Sequence, residues 1–154
     1  MRQSAAMPSI GIDIRVYIED TDAGGIVYYV NYLKYFERAR TELMREIGFP
    51  RAALPESGCQ FVVHSMEVEY LRPARLDDAL VAEASISVAG RASIDFAQRV
   101  LRGAEELCRG RVRIACVDAA TQRPRALPPA LKERVSGAAS AGQTQTRMEN
   151  LTCL

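Results

Sequence analysis

The order in which hydrophobic periodicity changes along this chain constrains its fold more than any other feature. From about Val30 to Ile47 the apolar residues Leu33, Phe36, Ala39, Leu43 and Ile47 recur at spacings of three and four, with Lys34, Arg38, Arg45 and Glu46 around them. That is the pattern of an amphipathic helix, and Gly48 and Pro50 stop it. Before it, residues 12–18 alternate, placing Ile12, Ile14, Val16 and Ile18 on one face of a first strand. After it the period becomes two and stays there. Runs at about 61–71, 79–89, 93–102 and 107–118 read as strands with one buried face each. Met66, Val68 and Tyr70 form that face on the first of them, Leu80, Ala82, Ala84, Ile86 and Val88 on the next, and Val112, Ile114 and Cys116 on the last. Gly90-Arg91-Ala92 and the stretch from Gly103 to Glu106 are short enough for hairpin turns, so these strands pair antiparallel and can form a meander. Pro128-Pro129 opens a short helix through Val135. The result is an α+β chain in which a five-stranded, mainly antiparallel sheet wraps around one long helix and so covers both apolar surfaces.

At 154 residues the chain supports one domain with a sizeable core. We place that domain at 10–136. Residues 1–9 and 137–154 read as flexible tails, the latter because the stretch from Ser136 to Thr146 lacks apolar anchors. Twenty basic and nineteen acidic residues give a net charge of +1, which offers no general attraction to nucleic acid or an anionic membrane. No apolar run has the length of a signal peptide core or a membrane span, so a cytoplasmic protein is expected. Cys59, Cys108, Cys116 and Cys153 include no CxxC pair, and in that compartment they read as thiols, with no metal site.

The densest chemistry lies between the first strand and the long helix, in Tyr17-Ile-Glu-Asp-Thr-Asp-Ala-Gly-Gly-Ile-Val-Tyr-Tyr-Val-Asn-Tyr32. Three carboxylates precede a helix start, whose free N–H groups and partial positive charge can hold a developing oxyanion. A carboxylate there can attack or activate water. Asp20 or Asp22 can equally cap the helix or a turn, the commoner use of Asp in such loops.

The stretch Glu19-Asp-Thr-Asp-Ala-Gly-Gly-Ile-Val-Tyr-Tyr, followed by Asn31-Tyr and Tyr35-Phe-Glu-Arg-Ala-Arg-Thr41, resembles the signature of the hotdog-fold thioesterases of the 4-hydroxybenzoyl-CoA thioesterase and YbgC-like group. The resemblance extends through Phe61-Val-Val, Val68-Glu-Tyr, Arg72-Pro-Ala-Arg-Leu-Asp-Asp78, Gly90-Arg-Ala-Ser93 and Val112-Arg-Ile-Ala-Cys-Val-Asp118, and covers roughly residues 12–135. It implies the hotdog fold, assembly into dimers whose sheets join and commonly into tetramers, and an acyl-CoA thioester substrate without a separate cofactor. It places the family's catalytic aspartate on Asp22, rather than on Glu19 or Asp20, as nucleophile or general base. The backbone N–H that polarises the carbonyl falls on Tyr29. Many YbgC-like members carry tyrosine at the position of Ile18 and histidine at that of Tyr29. The 4-hydroxybenzoyl-CoA thioesterase branch is similar to this chain in having an aromatic residue followed by tyrosine after Gly-Ile-Val.

Further candidates surround that centre. Ser65 lines the substrate channel by resemblance, and Tyr28 is kept with Tyr29 as a possible wall of an acyl pocket, while Tyr32, Tyr35 and Phe36 read as core. Arg91, in a turn, suits the phosphate end of coenzyme A, although a solvated turn arginine is the commoner case. Arg72 and Arg75 read as surface residues. His64, the sole histidine, reads as structural on a half-buried strand, which argues against a histidine-dependent hydratase. The expected function is hydrolysis of a short aliphatic or aryl acyl-CoA. The alternative is a weakly catalytic hotdog protein that binds acyl carrier protein or acyl-CoA as an interaction module.

Overall fold

A computed structural model describes residues 7–49 and 58–136. The N-terminal strand β1 (Ser9–Arg15) leads through a short 3-10 turn (Ile18–Asp20) to the long helix α1 (Tyr29–Glu46). Strands β2 (Cys59–Tyr70), β3 (Ala79–Ala89), β4 (Ser93–Arg102) and β5 (Glu105–Asp118) follow, and α2 (Pro129–Val135) closes the described chain. Residues 1–6 and 137–154, most of the expected tails, lie outside the described residues.

All pairings in the sheet are antiparallel. The order is β1-β3-β4-β5-β2, which corrects the expected meander of four consecutive strands. Only β3, β4 and β5 follow one another. β2 crosses to the far edge and pairs with β5, because residues 71–78 form a crossover rather than a hairpin. That segment is occupied elsewhere: Leu71 and Arg72 N–H donate to Leu107 O at 2.8 and 3.1 Å, and Ala74 O accepts Val27 N–H at 2.9 Å.

The core lies between one sheet face and the buried stripe of α1, formed by Tyr32, Tyr35, Phe36, Ala39, Leu43 and Met44 together with Arg40. Leu80, Ala82, Ala84 and Ile86 of β3, Phe96 and Val100 of β4, and Val112 and Cys116 of β5 face it. Each large side chain buried this way contributes about 1.5–3 kcal/mol. At Gly110 of β5 an added Cβ would stand 2.9 Å from Phe36 Cε2 and 2.8 Å from Glu67 O, so this glycine is what lets helix and sheet approach. α1 ends as its sequence dictates. Gly48 adopts φ +99°, and Gly48 and Phe49 N–H return to Arg45 O and Met44 O at 3.1 and 2.8 Å, a Schellman closure.

Three faces differ from the sequence expectation. Ile18 is 77% exposed, because β1 ends at Arg15 and the chain turns into the 3-10 segment. Val88 is exposed, since a register shift between Ile86 and Val88 rotates the strand end. Met66 and Tyr70 are also exposed, because α1 packs against β1, β3 and β4 and leaves the edge strand β2 uncovered. The cysteine reading changes as well. Cys59 and Cys116, on paired strands with Cα atoms 6.4 Å apart, form a disulfide, a contact across 57 residues that spacing does not reveal. Cys108 is a free, buried thiol whose pKa burial pushes up to about 12.

Candidate active site

The segment between β1 and α1 is closed by its own backbone. Thr21 bridges Val27, Asp22 N–H donates to Ile26 O at 2.9 Å, and Tyr28 N–H donates to Asp20 O at 2.9 Å. Residues 20–28 therefore form a small hairpin that delivers the chain to the first turn of α1. Two anchors fix it to the body: Val27 N–H on Ala74 O, and the Tyr32 hydroxyl accepting Ala74 N–H at 3.0 Å.

At its tip Asp22 Oδ1 accepts Gly24 N–H at 2.8 Å, and Asp22 O accepts Gly25 N–H at 3.0 Å, with Gly25 at φ +77° where a side chain would be strained. Asp22 thus does cap a turn, as the commoner use of Asp has it. The same bond leaves Oδ2 without a partner among the described residues and exposed for chemistry. A Cβ at position 24 would meet Asp22 Oδ1 at 3.1 Å, which gives the Gly-Gly pair a second purpose.

Asp20 has the structural task. Its carboxylate accepts Tyr17 N–H at 2.8 Å, and its carbonyl takes both Tyr28 N–H and Asn31 Nδ2 at 2.8 Å. Neither aspartate caps α1, whose Tyr28 cap residue makes no side-chain capping bond and whose first turn holds no acid. Among the described residues the Tyr29 N–H has no acceptor. An uncapped helix start retains its partial positive charge for a ligand.

Tyr28 and Tyr29 are exposed and lie with ring centroids 4.9 Å apart. Tyr29 also meets Tyr70 edge-on at 6.1 Å. Tyr32 and Tyr35 are core, as expected. Desolvation first, and then the charge of Asp20, raise the Tyr35 phenol far above its usual range.

The other expected site residues are not gathered here. Ser65 is exposed on β2 just after a register shift, with His64 Nδ1 3.4 Å from its Oγ. His64 is therefore an exposed edge residue, not the half-buried one the alternation implied. Arg91 is exposed in the β3–β4 turn, which Lys132 Nζ to Gly90 O at 2.5 Å ties to α2 and Leu127 N–H to Arg91 O at 2.9 Å ties to the segment before it. That turn is at one end of the sheet. The Asp22 hairpin is at the other, near Arg102, whose Nη1 bonds Asp78 Oδ2 at 2.7 Å. The nine steps of β4 between these ends span roughly 30 Å. Arg72, by contrast, is spent on an ion pair with Glu105 at 3.2 Å.

Two residues with structural tasks were not singled out in the sequence. Tyr70 reads there as one more buried alternating residue, yet its hydroxyl donates to Tyr29 O at 3.1 Å. Arg40 reads as part of the helix, yet it is buried. The signal for Arg40 was its spacing of four from Phe36, on the apolar stripe.

The sequence model of the thioesterase-like superfamily matches residues 16–135. The acyl-CoA thioesterase YbgC of Haemophilus influenzae is 43% identical over 120 residues, covering 77% of this chain and 88% of that protein. The crystal structure of a probable thioesterase from Bartonella henselae is 35% identical with a TM-score of 0.69, covering 79% of this chain and 99% of the other. A 1,4-dihydroxy-2-naphthoyl-CoA thioesterase from Synechocystis, 18% identical, superposes with a TM-score of 0.77 over 83% of this chain and 96% of its own, and so shares the fold. With its antiparallel sheet around α1 and the match over residues 16–135, the chain belongs to the thioesterase-like superfamily, in the YbgC-like group of hotdog thioesterases.

Proposed function

We propose that this chain hydrolyses acyl-CoA thioesters, with Asp22 as the catalytic carboxylate and the Tyr29 N–H as the oxyanion donor. The observation that carries this reading is the uncapped start of α1, with a donor at Tyr29 that meets no acceptor among the described residues, immediately after a hairpin whose Gly24 N–H holds Asp22 by Oδ1. Oδ2 attacks the thioester carbonyl carbon or takes a proton from the water that does. Negative charge then collects on the carbonyl oxygen, where a fixed backbone donor stabilises it. Collapse of the tetrahedral intermediate breaks the C–S bond and releases coenzyme A. Where Oδ2 is the nucleophile, this leaves a mixed anhydride on Asp22 that water hydrolyses; on either route water supplies the second carboxyl oxygen of the acid and the proton of the released thiol.

The reading requires two copies of the chain. Asp22 and Arg91 lie at opposite ends of one protomer's sheet, while β2 presents an unpaired edge with Val63, Met66 and Tyr70 exposed. Antiparallel pairing of two β2 edges covers that surface. With a two-fold axis near Ser65 or Met66, position 70 of one strand lies beside positions 60–62 of the other. The Tyr29 end of one protomer then meets the Arg91 end of its partner, so Ser65 and Arg91 serve the partner's Asp22, with Arg91 on the coenzyme A phosphates. We place the enzyme in the cytoplasm.

The test is release of free coenzyme A thiol from a panel of short aliphatic, long aliphatic and aryl acyl-CoAs, with molar mass measured by light scattering. Turnover of at least one class by a dimer or tetramer is expected. A monomer at micromolar concentration contradicts the paired site, and the absence of turnover across the panel contradicts the function.

A further inference from the structure

The crossover at 71–78, which carries the stretch Arg72-Pro-Ala-Arg-Leu-Asp-Asp78, takes no part in the chemistry above, yet the Asp22 hairpin rests on it. The returning arm of that hairpin pairs with the crossover: Val27 N–H donates to Ala74 O at 2.9 Å, and Ile26 bridges Arg75 antiparallel. Ile26 O in turn accepts Asp22 N–H at 2.9 Å, and Val27 leads directly into Tyr28 and Tyr29. Asp22 and the Tyr29 N–H therefore take their positions from Ala74 and Arg75, and a shift of the crossover moves both.

Asp78 and Arg102 set the place of the crossover. Asp78 Oδ2 accepts Arg75 N–H at 2.8 Å, and Asp78 N–H returns to Arg75 O at 3.1 Å, so residues 75–78 close into a turn. The same oxygen accepts Nη1 of Arg102, the last residue of β4, at 2.7 Å. Arg102 Nη1 also reaches Pro73 O at 3.3 Å, and its Nη2 lies 3.2 Å from both Glu105 carboxylate oxygens. One planar fork thus ties both ends of the 73–78 segment to the corner between β4 and β5. Burial alone would raise the pKa of Asp78, but the Arg75 N–H and the Arg102 guanidinium outweigh it and hold the carboxyl below its ordinary 3.8. Asp77 beside it has φ 67°, a left-handed backbone that a non-glycine residue adopts rarely, and where its neighbours over-determine it. Here its N–H donates to Val16 O at 3.0 Å and its carbonyl accepts Arg15 Nη1 at 2.6 Å.

These bonds form one route from the sheet to the reacting groups. It runs from Arg102 to Asp78, from Asp78 to Arg75, from Arg75 and Ala74 to Ile26 and Val27, and from there to Asp22 and Tyr29. A partly exposed ion pair contributes little to stability by itself. This one matters by its place, because a misplacement of about 1 Å at a reacting group can lower a rate roughly a hundredfold. We infer that Asp78 and Arg102 are positioning residues for the thioester reaction, holding the crossover where the hairpin presents Asp22 and the Tyr29 N–H to the same carbonyl. The inference rests on the thioesterase reading given above and adds to it the residues that set its geometry.

The experiment measures kcat, KM and Tm for Arg102→Met, Arg102→Lys and Asp78→Asn in the full-length protein, on the best acyl-CoA substrate of the parent. Glu83→Gln is the comparison. Glu83 pairs with Arg99 of β4 at 2.7 Å, the same length as the Arg102–Asp78 pair, and makes no hydrogen bond to the crossover among the described residues. Arg102→Met is expected to lower kcat by about tenfold with KM near the parent value, the mark of an interaction that acts in the transition state. Arg102→Lys, which keeps the charge and a donor for Asp78, should recover part of the loss, and the nearly isosteric Asp78→Asn should follow Arg102→Met. Glu83→Gln should leave kcat unchanged whatever it does to Tm. If kcat in Arg102→Met and Asp78→Asn is no lower than in Glu83→Gln, the pair is purely structural and the inference is overturned. A rise in KM at constant kcat overturns it too, because that marks lost substrate binding. Asp78→Asn decides on the same two criteria if Arg102→Met does not fold. Turnover by the parent with kcat intact in these variants defeats this inference alone. Failure of the parent on every thioester defeats the thioesterase reading, and this inference with it.

Discussion

The hydroxyl of Tyr70 donates to the main-chain carbonyl of Tyr29 at 3.1 Å, joining the end of the edge strand β2 to the first residue of α1. The same residue that offers the proposed oxyanion donor is thus held through its carbonyl by the strand proposed to pair with a second protomer. Tyr70→Phe should lower stability by about 1 kcal/mol, a few degrees in Tm, since the ring contacts with Tyr29 and Tyr32 remain. Tyr70→Ala, which removes those contacts too, should reduce turnover more than Tyr70→Phe does. Equal turnover in the two variants, measured by thiol release, would show that the β2 end does not position Tyr29.

Backbone and side chain give opposite expectations at Tyr29. If the N–H polarises the thioester, Tyr29→Phe retains most activity, whereas Tyr29→Pro loses about a hundred- to thousandfold, the usual effect of removing one oxyanion donor. Proline is tolerated in a first helical turn, and circular dichroism verifies that α1 persists. A Tyr29→Phe variant as impaired as the proline variant would assign the work to the phenol.

Asp95, a buried acid on β4, accepts Arg113 Nε at 2.7 Å and Nη2 at 2.9 Å. Its pKa falls below the ordinary 3.8 because this bond outweighs the opposing effect of burial. A depressed carboxyl stabilises the fold above its unfolded pKa, and that contribution fades as pH drops through the folded value. Asp95→Asn should therefore melt below the parent at pH 7, with the gap closing below about pH 4. A gap that stays constant from pH 7 to pH 3 would contradict the linkage.

Gly110→Ala tests the closest approach of helix and sheet. Its Cβ would stand within 3 Å of a strand carbonyl and of Phe36, and neither is the free end of a flexible chain. Overpacking of this kind costs about 1–3 kcal/mol, to be read from denaturant unfolding. An unchanged midpoint would show that α1 can shift away from β5 without loss.

Much of this was legible in the sequence because it is local. The 3.6 period of α1, the alternation of β3 and β5, the stop at Gly48 and the loop chemistry around Asp22 are written in neighbouring residues. Hairpin neighbours followed from the short turns at Gly90 and Gly103. What was not legible is decided by distant pairings. Nothing near β2 says that it joins β5 instead of β3, so the exposure of Met66 and Tyr70, the Cys59–Cys116 contact and the open edge were all missed. Arg40 was missed for another reason: a charged residue on an apolar stripe looks like an exception until Gln98, 58 residues away, is seen to hold it.

The most direct test of the account is the turnover of Asp22→Asn on the best acyl-CoA substrate of the parent protein. The amide is nearly isosteric and keeps an oxygen for the Gly24 N–H, so the hairpin and the circular dichroism spectrum should be retained. It is neither basic nor nucleophilic, and a loss of at least about a hundredfold in kcat is expected. A folded Asp22→Asn variant that turns over substrate at nearly the parent rate would contradict the assignment of Asp22.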